Sequence, residues 1–94
     1  MKTTAEKGAV VISGAGRDQG EYLAVVGANA DRVFVCNGRD RPLARPKAKN
    51  PVHLTVTGKS LPSEAMRGNK ALKKALARVR DEEEADRIGQ SSDL

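Results

Sequence analysis

The stretch SGAGRDQG, residues 13–20, is the part of the sequence best suited to binding a phosphate group. Glycines let the backbone approach a ligand closely and leave their N–H donors unobstructed. Arg17 lies at the tip, where its guanidinium could fork onto phosphate oxygens or stack on a base. We predict that the neighbouring Asp18 caps the turn, with orientation of Arg17 or acceptance from a ribose hydroxyl as alternatives. The three glycines are Gly14, Gly16 and Gly20.

Two common nucleotide-binding fingerprints do not fit this loop. A dinucleotide fingerprint needs Gly-x-Gly-x-x-Gly at the start of a helix, whereas here one extra residue precedes Gly20 and a strand-like segment follows. A P-loop needs Gly-Lys followed by Ser or Thr, which is absent from the stretch. The sequence therefore favours a connection between two strands over a nucleotide-cofactor loop.

A second basic segment follows at residues 39–49. The whole chain of 94 residues has a net charge of +5, and all of this excess lies in residues 1–59, since residues 60–94 are balanced. A positive field attracts polyanions, of which nucleic acid is the commonest inside cells, although the segment could also be a solvated loop. Its candidate phosphate contacts are Arg39, Arg41, Arg45, Lys47 and Lys49.

Residues suited to catalysis or metal binding are scarce. His53 is the sole histidine and is expected to face outward, touching RNA or only solvent. Cys36 is the sole cysteine, which excludes an internal disulfide and fits a reducing compartment. We expect it to pack in the core. The sequence predicts no catalytic residues, no metal site and no cofactor.

Apolar β-branched runs predict the first three strands at residues 8–13, 21–27 and 32–36. In the second, Leu23 and Val25 share one face and the side chains of residues 22, 24 and 26 share the other. In the third, Val33 and Val35 lie opposite Phe34 and Cys36.

Asn37-Gly38 is the preferred pair for a two-residue type I′ hairpin, so we predict a fourth strand from Arg39 towards Leu43. Residues 44–51 then form a basic, proline-bracketed loop. A fifth strand is predicted over 52–57, in which Val52, Leu54 and Val56 face inward.

Helix-forming residues dominate after Gly58. A short helical turn is predicted at 63–67, followed by a helix with Asn69 as N-cap. Leu72, Leu76 and Val79 recur at helical spacing and are expected to cover an open end of the strands. Alternatively the helix around residues 70–80 contacts a protein partner, or its basic face extends an RNA footprint. The acidic run 81–84 opposes the helix dipole, which predicts fraying or continuation beyond it.

Five short strands followed by a helix predict a mainly β fold, a small barrel or sandwich with a C-terminal helical extension. No crossover long enough for a βαβ unit lies between the strands. We divide the chain into a flexible tail (1–7), the β domain (8–58), the helical extension (59–88) and a disordered tail (89–94).

Residues 8–54 resemble the KOW motif and its following strands. The match consists of Gly8, the hydrophobic Val10 and Ile12, the AGRDxG segment at 15–20, and PKxKNxxHL at 46–54. The chain is similar to small bacterial KOW RNA-binding proteins, and through them to KOW-bearing large-subunit ribosomal proteins of archaea and eukaryotes. Ala48 departs from the lysine-rich pattern of that family and would weaken one phosphate contact.

The resemblance implies a five-stranded SH3-like barrel whose first interstrand loop faces RNA. It also implies ribosomal RNA or the ribosome as partner, with a protein-interaction domain in transcription elongation, antitermination or ribosome assembly as the alternative. Two aromatic residues offer little stacking surface, so we expect recognition of folded or duplex RNA. The candidate RNA-binding residues are Ser13, Gly14, Gly16, Arg17, Asp18, Gly20, Arg39, Arg41, Arg45, Lys47, Lys49, Asn50 and His53.

No stretch approaches the ~20 apolar residues of a membrane span, and the first residues do not form a signal peptide. We therefore expect a cytoplasmic monomer, associated with ribosomes if its RNA is ribosomal.

Overall fold

One antiparallel sheet and one long helix make up the fold. The computed structural model describes residues 6–92, with side chains through residue 86. The sheet has the order β4-β3-β2-β1-β5, and every neighbouring pair is antiparallel. The elements are β1 (Ala9–Ser13), β2 (Tyr22–Ala28), β3 (Val33–Cys36), β4 (Lys47–Lys49), a 3₁₀ turn (Pro51–His53), β5 (Leu54–Ser60), a second 3₁₀ turn (Ser63–Met66) and α1 (Asn69–Ser92).

The predicted mainly β class with a C-terminal helix is confirmed, but the sheet is not a closed barrel. β4 and β5 are its two edges, and no hydrogen-bonded ladder joins them. In a flat sheet these edges would lie about 19 Å apart. The connection between them contains only Asn50 and the turn Pro51–His53, which can span about 13 Å. The sheet must therefore curl, which brings its edges close without pairing them.

The two faces of the curled sheet bury different cores. Six residues of β1, β2 and β3 form the first core, on the face away from α1, and the curl of the sheet encloses them. They are Ala9, Val11, Leu23, Val25, Val33 and Val35. On the other face Val10, Ala24 and Cys36 pack under α1. The alternation predicted for the second and third strands is confirmed, because Val33 and Val35 enter the first core with Leu23 and Val25, whereas Cys36 lies under α1. Phe34, which was predicted on the face of Cys36, is half-buried and belongs to neither core.

The predicted type I′ hairpin at Asn37-Gly38 is wrong. Such a turn needs positive φ at both residues, and among the described residues only glycines have one. Instead the Asn37 side-chain oxygen accepts hydrogen bonds from the backbone N–H groups of Arg39 (2.8 Å) and Arg41 (3.0 Å). The asparagine thus folds residues 37–41 into a local turn. The fourth strand consequently begins at Lys47, inside the stretch 44–51 predicted as a loop.

The fifth strand is longer than predicted and starts later. The Asn50 side chain accepts from the N–H of Val52 and caps the turn that holds Pro51–His53. Val52 and Val56, expected inside, are 79% and 43% exposed, whereas Leu54 packs against the first core. Periodicity failed at Val52 because local capping takes this residue out of the strand. Val56 lies within β5 and is exposed on this edge strand of the sheet.

α1 packs on the sheet through Leu72, Leu76 and Val79, as the spacing predicts. The predicted N-cap is displaced by one residue, because the carbonyl of Gly68 accepts the first helical bond, from Leu72. The Asn69 side chain instead accepts from the backbone N–H of Leu43 (2.8 Å), which ties the 39–45 segment to the helix.

The C-terminal helix continues past the acidic run and ends at Ser92. It therefore includes most of the stretch 89–94 for which we predicted a disordered tail. The last two residues of that tail, and residues 1–5 of the N-terminal tail, lie outside the described residues. Within the described chain, α1 is not apolar enough to cross a membrane.

Candidate nucleic-acid interface

The structure brings the two predicted basic segments together at one end of the sheet. The loop between β1 and β2 contacts the segment around β4 at two points. The Gly14 N–H donates to the His53 carbonyl (2.7 Å), and the Lys49 ammonium reaches the Asp18 carboxylate (2.6 Å). Residues 31 positions apart in the sequence thereby share one surface.

The glycine loop is a defined turn closed by backbone hydrogen bonds. The Gly20 N–H donates to the Ser13 carbonyl (2.7 Å), and the Ser13 N–H donates to the Glu21 carbonyl (3.0 Å). Gly20 has φ +87°, a conformation that other residues adopt only with strain. This glycine therefore lets the backbone turn into β2.

A buried ionic cluster holds the loop against β4. The side chains of Asp18 and Lys49 are only 4% and 10% exposed. Lys49 also donates to the Ser13 hydroxyl (3.2 Å) and the Ala15 carbonyl (3.1 Å). Three predicted RNA contacts, Ser13, Asp18 and Lys49, therefore bind one another inside the protein. We reassign them to holding the interface together.

Asp18 makes contacts beyond the local turn that we predicted it to cap. Its carboxylate accepts from Lys49 and from the Ser13 hydroxyl (3.1 Å) rather than orienting Arg17. Its second oxygen lies 3.8 Å from Arg41 Nε, and neither of these two buried atoms has a hydrogen-bond partner. The positive charge of Arg41 thus balances part of the Asp18 charge without a hydrogen bond between them.

Burial alone would raise the pKa of Asp18, but the hydrogen bonds from Lys49 and Ser13 and the Lys49 charge hold it below its ordinary value. The unfolded chain therefore binds this proton more readily than the folded protein does. The Asp18 contribution to stability is complete above the unfolded-state pKa and is lost as the pH falls through the folded-state pKa.

We expect Asp18→Asn to weaken the dependence of stability on pH below about pH 4, where carboxylates titrate. Urea unfolding midpoints between pH 5 and pH 2 measure this effect. Asp31→Asn, at an exposed turn, is the control and should leave the acid dependence unchanged. Parallel curves for wild type and Asp18→Asn would contradict the assignment of the buried charge.

Three predicted contacts remain on the surface and have no ionic partner among residues 6–86. We call them the basic rim: Arg17, Arg45 and Lys47. Each lies within four residues of a member of the buried cluster, so the cluster fixes the backbone from which the rim projects. Arg39 is also exposed, but its guanidinium lies 3.7 Å from the Glu21 carboxylate.

The remaining predicted site residues have mixed positions. His53 is exposed, and its carbonyl anchors Gly14. Asn50 uses its side-chain oxygen to cap the 3₁₀ turn. Gly14 has little room for a side chain, since a Cβ atom there would lie 3.1 Å from the His53 carbonyl oxygen.

No group of three or more His, Cys, Asp or Glu side chains that could hold a metal is found between residues 6 and 86. Cys36 is fully buried beneath α1. Burial raises the pKa of its thiol, so at neutral pH the sulfur is protonated and packs as an apolar group.

Sequence reasoning missed a groove between the end of the glycine loop and α1. Its volume is about 280 Å³, and its walls include Glu21, Tyr22, Lys73 and Arg80. Helical spacing correctly placed Leu72, Leu76 and Val79 inward. No signal in the sequence shows which of the exposed helix residues face the loop, because this depends on how α1 crosses the sheet.

No family model matches this chain, and no curated protein matches it. The resemblance to KOW proteins therefore depends on sequence motifs alone, the AGRDxG segment at 15–20 and PKxKNxxHL at 46–54.

Proposed function

We propose that this chain is an RNA-binding module of the SH3-like KOW type. The observation that carries the proposal is the basic rim. Three exposed cations without ionic partners in the described chain project from segments that a buried ion pair holds in place. A fixed set of unpaired cations binds phosphates at lower entropic cost than a mobile basic loop.

The SH3-like assignment is supported by the curled five-stranded antiparallel sheet and by the 3₁₀ turn between its last two strands. The sheet buries its own concave face, as a small barrel does. Backbone glycines at the loop, with few aromatic side chains, favour contact with the RNA backbone over base reading.

Salt titration of RNA binding tests this proposal. Binding of an RNA hairpin should weaken steeply as salt rises, since phosphate contacts release counterions. Arg17→Ala and Lys47→Ala should each make the slope of log K against log salt shallower by roughly 0.7–0.9. Their unfolding midpoints should stay at the wild-type value, because both side chains are exposed.

Arg67→Ala and Lys70→Ala are the matched controls, since they remove exposed charges from the start of the helical extension. They should leave the salt slope unchanged. Affinity that does not depend on salt, or an equal loss in the control variants, would contradict binding through the basic rim.

We further propose that the RNA is ribosomal, which follows from the resemblance. Gradient sedimentation of a lysate should show this protein with ribosomal particles at low salt. High salt and ribonuclease should each release it to the top of the gradient. A protein that stays at the top of the gradient at low salt would contradict the ribosomal partner.

A second candidate function is binding to another protein. Val52 and Val56 are exposed to solvent beside the free edge of β5. A complex that survives ribonuclease and is lost in Val52→Ser would favour this alternative over RNA binding.

A further inference from the structure

The groove between the glycine loop and α1 is lined by both apolar and charged side chains. Tyr22 is half-buried at the start of β2 and packs against the core under the helix. Tyr22 and Leu76 contribute to its apolar lining. Arg39, Lys73 and Arg80 line the same groove, against the single carboxylate of Glu21.

The charges of this groove are available to a ligand to different extents. The side chains of Arg39 and Arg80 are 65% and 52% exposed. The Glu21 carboxylate accepts from the Asn37 side-chain amide (3.2 Å) and lies 3.7 Å from Arg39. Arg39 and Glu21 thus offset each other, and Arg80 Nε lies 3.6 Å from the exposed Asp81 carboxylate. Of the three cations that line the groove, Lys73 has no ionic partner among residues 6–86, and it keeps this part of the groove positive.

The size of the groove limits what can enter it. Its volume of about 280 Å³ is just below the usual range of small-molecule sites, about 300–1,000 Å³. A double helix is far too wide, whereas one base with its phosphate is of suitable size. An inorganic anion would contact the cations but would make no contact with the Tyr22 ring.

We propose that this groove holds one unpaired nucleotide of the bound RNA. The base packs against Tyr22, and the adjoining phosphates face Arg39, Lys73 and Arg80. This inference rests on the proposed function and deepens it. Gly20 lines the groove and belongs to the glycine loop, so the nucleotide would lie next to RNA bound at the basic rim.

The helical extension then acts in recognition as well as in covering the sheet. Duplex contacts at the rim follow the RNA backbone, while the groove detects a nucleotide that has left the stack. The expected ligand is therefore a folded RNA with a bulged or looped-out residue, which an undisturbed duplex does not provide.

Tyr22 gives a direct readout of this contact. It is the only tyrosine, and the chain has no tryptophan. The probes are one RNA hairpin with a single bulged nucleotide and the same hairpin with an abasic residue at the bulge. We expect saturable quenching of Tyr22 fluorescence by the first probe only, with about fivefold or more tighter binding.

Matched double variants distinguish an effect of the groove on RNA binding from an effect of the overall positive charge. Lys73→Ala with Arg80→Ala should remove the preference for the bulged base. Lys70→Ala with Lys74→Ala removes the same charge from exposed positions of the same helix outside the groove and should keep the preference. Loss of the preference in both double variants would overturn the assignment.

The failure of this inference is distinguishable from failure of the proposed function. Equal binding and equal fluorescence with both probes, together with weaker binding by Arg17→Ala and Lys47→Ala, would overturn the nucleotide groove alone. No binding of either hairpin at low salt would overturn both.

Discussion

Lys49→Met is expected to lower the free energy of unfolding by about 3–5 kcal/mol. The substitution leaves Asp18, whose side chain is 4% exposed, as a buried charge without its closest partner. Arg41 offsets only part of this charge, since its Nε lies 3.8 Å from the carboxylate and makes no hydrogen bond to it. Domains of this size have about 5–15 kcal/mol of stability, so the variant should be close to unfolding in mild denaturant.

The matched control is Lys47→Met, two residues away on the same strand. Lys47 is exposed and makes no ion pair within residues 6–86, so its replacement should change stability by less than about 0.5 kcal/mol. Urea denaturation at pH 7 compares the two variants. Equal midpoints for Lys49→Met and Lys47→Met would show that the ion pair has no structural role.

The acid dependence of stability should be weaker in Lys49→Met than in the wild type. Removing Lys49 takes away the hydrogen bond and the charge that lower the pKa of Asp18, while burial still raises it and the Ser13 hydrogen bond still lowers it. The variant should therefore lose less stability than the wild type as the pH falls through the acid range. Adding Asp18→Asn should restore part of the loss at pH 7, because the buried carboxylate charge is then removed.

The contrast between these two lysines shows what the sequence could not reveal. Both lie in the run PKAKN, and both were predicted to bind phosphate. Strand alternation places them on the same side of β4, so periodicity does not separate them. Only the curl of the sheet brings Lys49 against the loop 31 residues earlier in the chain.

The elements that sequence patterns predicted correctly are those determined by nearby residues. Val-rich alternation located β1, β2 and β3, and helical spacing identified the buried face of α1. Of the site, patterns identified the glycine loop and the exposed cations of the basic rim. Which polar residues are buried depends on long-range contacts that no local pattern contains.

Asn37-Gly38 is a second case in which long-range contacts decide the structure, here against a strong local signal. The dipeptide is a strong local signal for a hairpin, yet the structure uses the asparagine for a side-chain turn and the glycine for contact with α1. Gly38 lies against the first turn of α1, where the Leu72 N–H donates the first helical hydrogen bond to the Gly68 carbonyl. A tertiary contact thus replaces the local preference.

Gly38→Ala is therefore expected to destabilise the protein by about 3 kcal/mol or more. Gly38 has φ +79°, which strains any other residue. The added methyl group would overlap the Asn69 carbonyl oxygen and lie 3.2 Å from the Lys73 nitrogen. Both are backbone atoms of α1, so they cannot rotate away, and the helix must shift from the sheet.

Gly58→Ala separates the two causes of this effect. Gly58 has φ +86°, but no other group lies within 4 Å of the position of a new Cβ atom. Gly58→Ala should lose only the free energy due to backbone strain, about 1 kcal/mol.

Cys36 then reports whether α1 has moved from the sheet, because its thiol is buried beneath Leu72 and Leu76. Thiol modification under native conditions should be faster in Gly38→Ala than in Gly58→Ala. Equal rates with equal midpoints would mean that the loop at Gly38 does not hold α1 against the sheet.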